Sequence, residues 1–129
     1  MHPSEEAIIA TFVTPNRRPR WLLSLDSAKR RRKFLDCLNH CTDLDLRFSQ
    51  PLKSNSDVIG LLQSHGAPAT CYVLSATESL DGREMPLDDA VSAFEIAGWG
   101  TIISCIPRKL AYYYDECGER RSLLLRTDA

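Results

Sequence analysis

Three apolar, strand-like runs follow one another at the C-terminal end with very little chain between them: TIISCI (101–106), KLAYYYD (109–115) and RRSLLLR (120–126). A turn at Pro107-Arg108 and a hairpin around DECGE leave no room for a crossover, so the three are expected to form an antiparallel meander. TCYVLSA (70–76) supplies the clearest central strand, rich in β-branched and aromatic residues. Whatever else the chain does, it must bury the faces of this sheet.

Helical patterning provides the cover. Residues from about Ser27 to Cys41 place Ala28, Phe34, Leu35, Leu38 and Cys41 on one side and Lys29, Arg32, Lys33, Asp36 and His40 on the other, with Ser24, Asp26 or Ser27 as cap. SNSDVIGLLQSHG starts with Ser54 three residues before Asp57 and stops at Gly66, which predicts a second helix. Pro86 sets the start of a third, with Leu87, Ala90, Val91, Phe94 and Ala97 on one face and Gly98 and Gly100 at its end. AIIATFV (7–13) reads as a buried strand, RRPRWLLSL as a short helix or turn with Trp21, Leu22 and Leu25 tucked inward, LDLRFSQPL (44–52) as a short strand or extended segment, and ESLDGRE as a turn-rich loop. The expected fold is α+β, or mixed α/β: a single domain over residues 1–129 with one mixed sheet, the C-terminal meander, and about three helices mainly on one face.

The composition, 43% hydrophobic and 26% charged, is that of an ordinary globular chain and excludes disordered and fibrous classes. No apolar stretch approaches the roughly 20 residues of a membrane span, and MHPSEEAIIA lacks the order of a secretion signal. Five cysteines (37, 41, 71, 105 and 117) form an odd set without paired C-x-x-C spacing and read as reduced, mostly buried thiols. Both features point to a cytoplasmic protein.

Charge is the least evenly distributed property. Net charge is −1, yet residues 17–33 hold eight cations against the single Asp26, a local +7, and the remainder carries −8. Arg17, Arg18, Arg20, Arg30, Arg31 and Arg32 are therefore candidates for contacting an anionic ligand or a nucleic acid; the competing reading is a solvated helix face balanced by acidic residues elsewhere. Arg31 stands out, because its helical angle puts it between Leu35 and Leu38 inside the apolar stripe. Its head must find a carboxylate or phosphate, or escape to water past its own stem.

Other candidates are weaker in chemistry. Cys37, His40 and Cys41 in CLNHC resemble zinc ligands in type, but no second pair supplies a fourth ligand, so no metal and no cofactor is expected. His65 suits a helix C-terminus, and His2 sits near the chain start. The loop after the central strand offers Glu78, Asp81 and Glu84, followed by Asp88 and Asp89, as an acid and base pair at a sheet crevice, or simply as turn and helix-start residues. Tyr112, Tyr113 and Tyr114 must alternate across the sheet, which offers a face for self-association or a protein partner. Glycine-rich phosphate loops and the common hydrolase and metalloprotease motifs are missing. The sequence favours a non-catalytic binding or regulatory module acting through its sheet face, with anion binding through 17–33 and an enzyme built on 78–89 as alternatives.

Overall fold

A computed structural model of the chain describes residues 1–53, 56–93, 98–116 and 120–127. Helices α1 (Pro3–Phe12), α2 (Arg18–Leu25) and α3 (Ala28–Phe34) come first, with a 3-10 turn at Leu35–Leu38 extending α3. A further 3-10 turn, Leu46–Phe48, leads into β1 (Ser49–Pro51), then α4 (Val58–Ser64), β2 (Thr70–Ser75), β3 (Arg83–Pro86), α5 (Leu87–Ser92), β4 (Thr101–Ile106), β5 (Leu110–Tyr114) and β6 (Arg121–Leu125). The fold is α+β. The six strands form one sheet in the order β1-β6-β5-β4-β2-β3, and every neighbouring pair is antiparallel. The expected meander is its centre. The DECGE hairpin, Ser54, Phe94 and Ala97 fall partly or wholly outside the described residues.

Alternation along the strands builds two cores instead of one. Leu74, Ile102, Ala111, Tyr113 and Leu124 point to one side and pack against Ile8, Ile9, Phe12, Trp21, Leu25, Phe34, Leu35 and Leu38 of α1 to α3 and the following turn. Val73, Ile103, Leu110, Tyr112, Tyr114 and Leu123 point to the other and meet Val58, Leu62, Leu87, Ala90 and Val91 of α4 and α5. Helices therefore lie on both faces. The two edges are short: β1 carries Pro51 and β3 carries Arg83, Glu84 and Pro86, which discourages pairing with another sheet.

The segment expected as a strand at 7–13 is α1. Pro3 occupies its first turn, the His2 imidazole caps it by accepting from the Ser4 N–H at 3.0 Å, and Glu5 and Glu6 favour its N-terminus. Glu5, Ile8, Ile9 and Phe12 are buried at the i, i+3, i+4, i+7 spacing of a helix face, and that burial outweighs the β preference of the two isoleucines. Only Val13, bridged to Leu44, is strand-like. The loop after β2 contains the unexpected edge strand β3, and Leu22, expected inside, is 43% exposed.

The end of the α3 unit is fixed on the sheet by close contact. The Tyr113 hydroxyl donates to the Leu38 carbonyl at 2.7 Å and accepts from the Cys41 N–H at 3.1 Å. The Gly100 N–H donates to Asn39 Oδ1 at 2.6 Å. A Cβ at Gly100 would stand 2.6 Å from the Asn39 nitrogen and closer still to the Leu38 carbonyl, so this crossing admits only glycine. His40 then turns with φ of +57° and hands its N–H to the buried Asp115 at 2.6 Å.

Candidate binding groove

The basic run divides by direction. Arg31 turns inward: Nη1 and Nη2 each donate to the Glu5 carboxylate at 2.8 Å, while Nε and Nη2 donate to Asp81 at 2.8 and 3.0 Å. Glu5 also accepts from the Tyr72 hydroxyl, and Asp81 from the Ser75 N–H at 3.1 Å. The side chains of Glu5 and Asp81 are 2% and 8% exposed. Two bidentate carboxylates hold the guanidinium charged well above its ordinary range, and burial, with the hydrogen bond to Glu5 adding to it, raises the Tyr72 phenol. Arg32 donates to the Ser75 and Ala76 carbonyls at 3.0 Å each. These two arginines tie α3 to α1 and to the strand end; they are not offered to a ligand.

Two more of the six candidates are also engaged. Arg18 Nε donates to the Val13 carbonyl at 3.0 Å, and Arg17 lies 3.7 Å from Asp43, which itself accepts from Trp21 Nε1 at 2.9 Å. Arg20 and Arg30 point outward. Together with Ser24, Lys29, Lys33, Phe34 and Cys37 they line a groove of about 640 Å³ between α2 and α3. No carboxylate is among these lining residues. Arg20 covers the Phe34 ring at 5.7 Å to its centroid, and Arg30 donates to the Leu23 carbonyl at 3.3 Å. Lys29 and Lys33 stand one turn apart with no ion pair among the described residues, an arrangement that costs a helix a few tenths of a kcal/mol. Leu23, 63% exposed, projects next to Arg20 around α2. The groove is thus a four-cation rim over a half-buried floor.

The tyrosines do not form a surface. Tyr112, Tyr113 and Tyr114 are all buried, on alternating sides of a sheet whose two faces are covered by helices, so the expected partner face does not exist there. The acidic loop does not converge either. Asp81 is spent on Arg31, whereas Glu78, Glu84, Asp88 and Asp89 are exposed, and Glu84 approaches only His2, at 3.5 Å. His40 lies between Asp115 and Glu116, 3.1 Å from each. No group of three side chains positioned to hold a metal occurs among the described residues. Burial pushes the Cys37 thiol up to about 12, with the Cys41 and Asp43 charges adding to it, and the Cys41 thiol up to about 11; both are protonated, unreactive sulfurs at neutral pH. Cys117 is outside the described residues. His65 closes α4 at its C-cap.

Two participants escaped the sequence reading. Glu5 precedes the run 7–13 that reads as a strand, although Pro3 followed by two acids is a helix-start signal. Tyr72 carried no signal, since its hydroxyl finds Glu5 only through the tertiary fold. No helix among the described residues is long and apolar enough to cross a membrane. Comparison of the chain with protein-family models, with curated proteins and with solved structures finds no match.

Proposed function

We propose that the protein is a docking module whose α2–α3 groove receives an acidic polypeptide surface. The observation that carries this reading is the convergence of Arg20, Lys29, Arg30 and Lys33 on one groove without a carboxylate among its lining residues, beside the exposed Leu23. Cations left unpaired beside an apolar side chain suit a partner that brings carboxylates and a small apolar contact. Nucleic acid fits less well: the one ring in the groove, Phe34, is buried under Arg20 and is not free to stack on a base. Free thiols at the four described cysteines support a cytoplasmic setting.

Fluorescence anisotropy with labelled polyglutamate and with a labelled single-stranded RNA oligonucleotide tests the proposal. Polyglutamate is expected to bind, weakening as salt rises, and to bind about tenfold or more weakly to the Arg20→Glu, Lys33→Glu variant. Tighter binding of RNA than of polyglutamate would replace the partner class, and binding of neither would refute the docking role.

A further inference from the structure

The helices on the two faces of the sheet differ in their cations. The groove cations belong to the helices on one face of the sheet. The helices on the opposite face, VIGLLQS and LDDAVS, contain no lysine or arginine, and Asp57, Asp88 and Asp89 stand exposed on them or at their start. Between α4 and α5 lies a second groove of about 540 Å³, lined by Ile59, Ala67, Pro68, Leu87 and Asp88 among others. One face therefore presents cations beside a projecting Leu23, and the opposite face presents a mostly apolar recess lined by Asp88, with Asp89 exposed next to it in sequence.

We infer that the acidic polypeptide surface taken by the α2–α3 groove is the α4–α5 face of a second copy of this chain, an inference that rests on the docking role proposed above. Leu23 of one copy enters the recess between α4 and α5 of the next, with Lys29 and Arg30 facing Asp88 and Asp89. Because donor and acceptor faces lie on opposite sides of one sheet, the contact is heterologous and does not close on itself as a two-fold dimer would; copies add in the same orientation. The contact is small and charge-steered, so it forms at high protein concentration and dissolves in salt.

Sedimentation velocity of the full chain, from micromolar to millimolar concentration, reads this directly. The weight-average mass is expected to climb above the 14.5 kDa of one chain as concentration rises, and to return to it near about 1 M salt, where the Debye length is about 3 Å. Lys29→Glu with Arg30→Glu, and separately Asp88→Lys with Asp89→Lys, should each weaken association about tenfold or more, since each sets like charges face to face. Mixing the two variants should restore assembly, because the reversed groove of one then meets the reversed face of the other. All four positions are exposed, and unchanged circular dichroism melting checks that the variants fold. Leu23→Ser should also weaken association without altering any charge. A wild-type chain that stays at the mass of one copy throughout, or assembly that neither reversal disturbs, would overturn the inference. If such a chain still binds polyglutamate, the docking role survives with a different partner; if it does not, both fail.

Discussion

Replacing Arg31 by alanine is expected to damage the protein more than any other single change in the basic run. The substitution removes four short hydrogen bonds and leaves Glu5 and Asp81 ionised beside each other, the first almost without access to water. Removing one partner of a buried ion pair typically costs about 3–5 kcal/mol, against a total stability of about 5–15 kcal/mol. Arg31 itself is 22% exposed, so water can reach part of the vacated space, and Tyr72 and the Ser75 N–H still solvate the two acids. The low end, about 3 kcal/mol, is therefore expected. For a chain of this length, with about 4 °C per kcal/mol, the melting temperature should fall by about 12 °C. Urea unfolding followed by circular dichroism measures the loss, with Arg30→Ala, an exposed neighbour, changing stability by no more than about 0.5 kcal/mol. Combining Arg31→Met with Glu5→Gln and Asp81→Asn should recover a large part of the loss, because no uncompensated charge remains. An Arg31→Ala variant within about 1 kcal/mol of wild type, or a triple variant no better than the single, would refute the claim that paired burial of charge makes this position critical.

Two further outcomes follow from close contacts. Gly100→Ala forces a methyl group against the Leu38 carbonyl and Asn39 nitrogen, so it should cost about 3 kcal/mol or more, read as a lowered urea midpoint; Gly98→Ala, made in parallel, has a different origin of strain, its φ of +44°. Asp45, buried and held by the Arg47 side chain and backbone N–H, has its carboxyl pulled below the ordinary range. Its folded value is depressed, so its contribution is complete above about pH 4 and is lost as pH falls through the lower folded value. Arg47→Ala should therefore destabilise by at most about 1 kcal/mol at pH 7, because Arg47 is largely exposed, and the gap should narrow below about pH 4. A gap that stays constant down to pH 2 would remove the linkage.

Much of the sheet was legible because strand burial is written locally. TCYVLS after Thr70, TIISCI up to Cys105 and the whole of LAYYY are buried, and the short link between the last two forces them to pair. The face assignments were not legible. Continuous apolar runs in β4 and β5 signal a sheet buried on both sides, yet three consecutive tyrosines also suit an exposed face, and only α4 and α5 packing opposite α1 to α3 decides between them. At 7–13 the β-branched Ile8, Ile9, Thr11 and Val13 masked a helical burial stripe whose first member, Glu5, precedes the run, looks polar in sequence and is buried where Arg31 meets it.

The basic run shows the same limit from the other side. Helical angle singled out Arg31 as anomalous, and an arginine inside an apolar stripe does find a fixed partner, though the partners are the chain's own carboxylates. Lys29 and Lys33, which the same angle assigns to an ordinary wet face, are left among the described residues without an ion pair, on a groove shared with Arg20 and Arg30. Anomalous placement in a pattern thus marked a residue that the fold itself consumes. A surface cation becomes a candidate for function by a different test: like charges held one turn apart, with no ion pair among the described residues, keep an unfavourable interaction that a partner's opposite charge relieves.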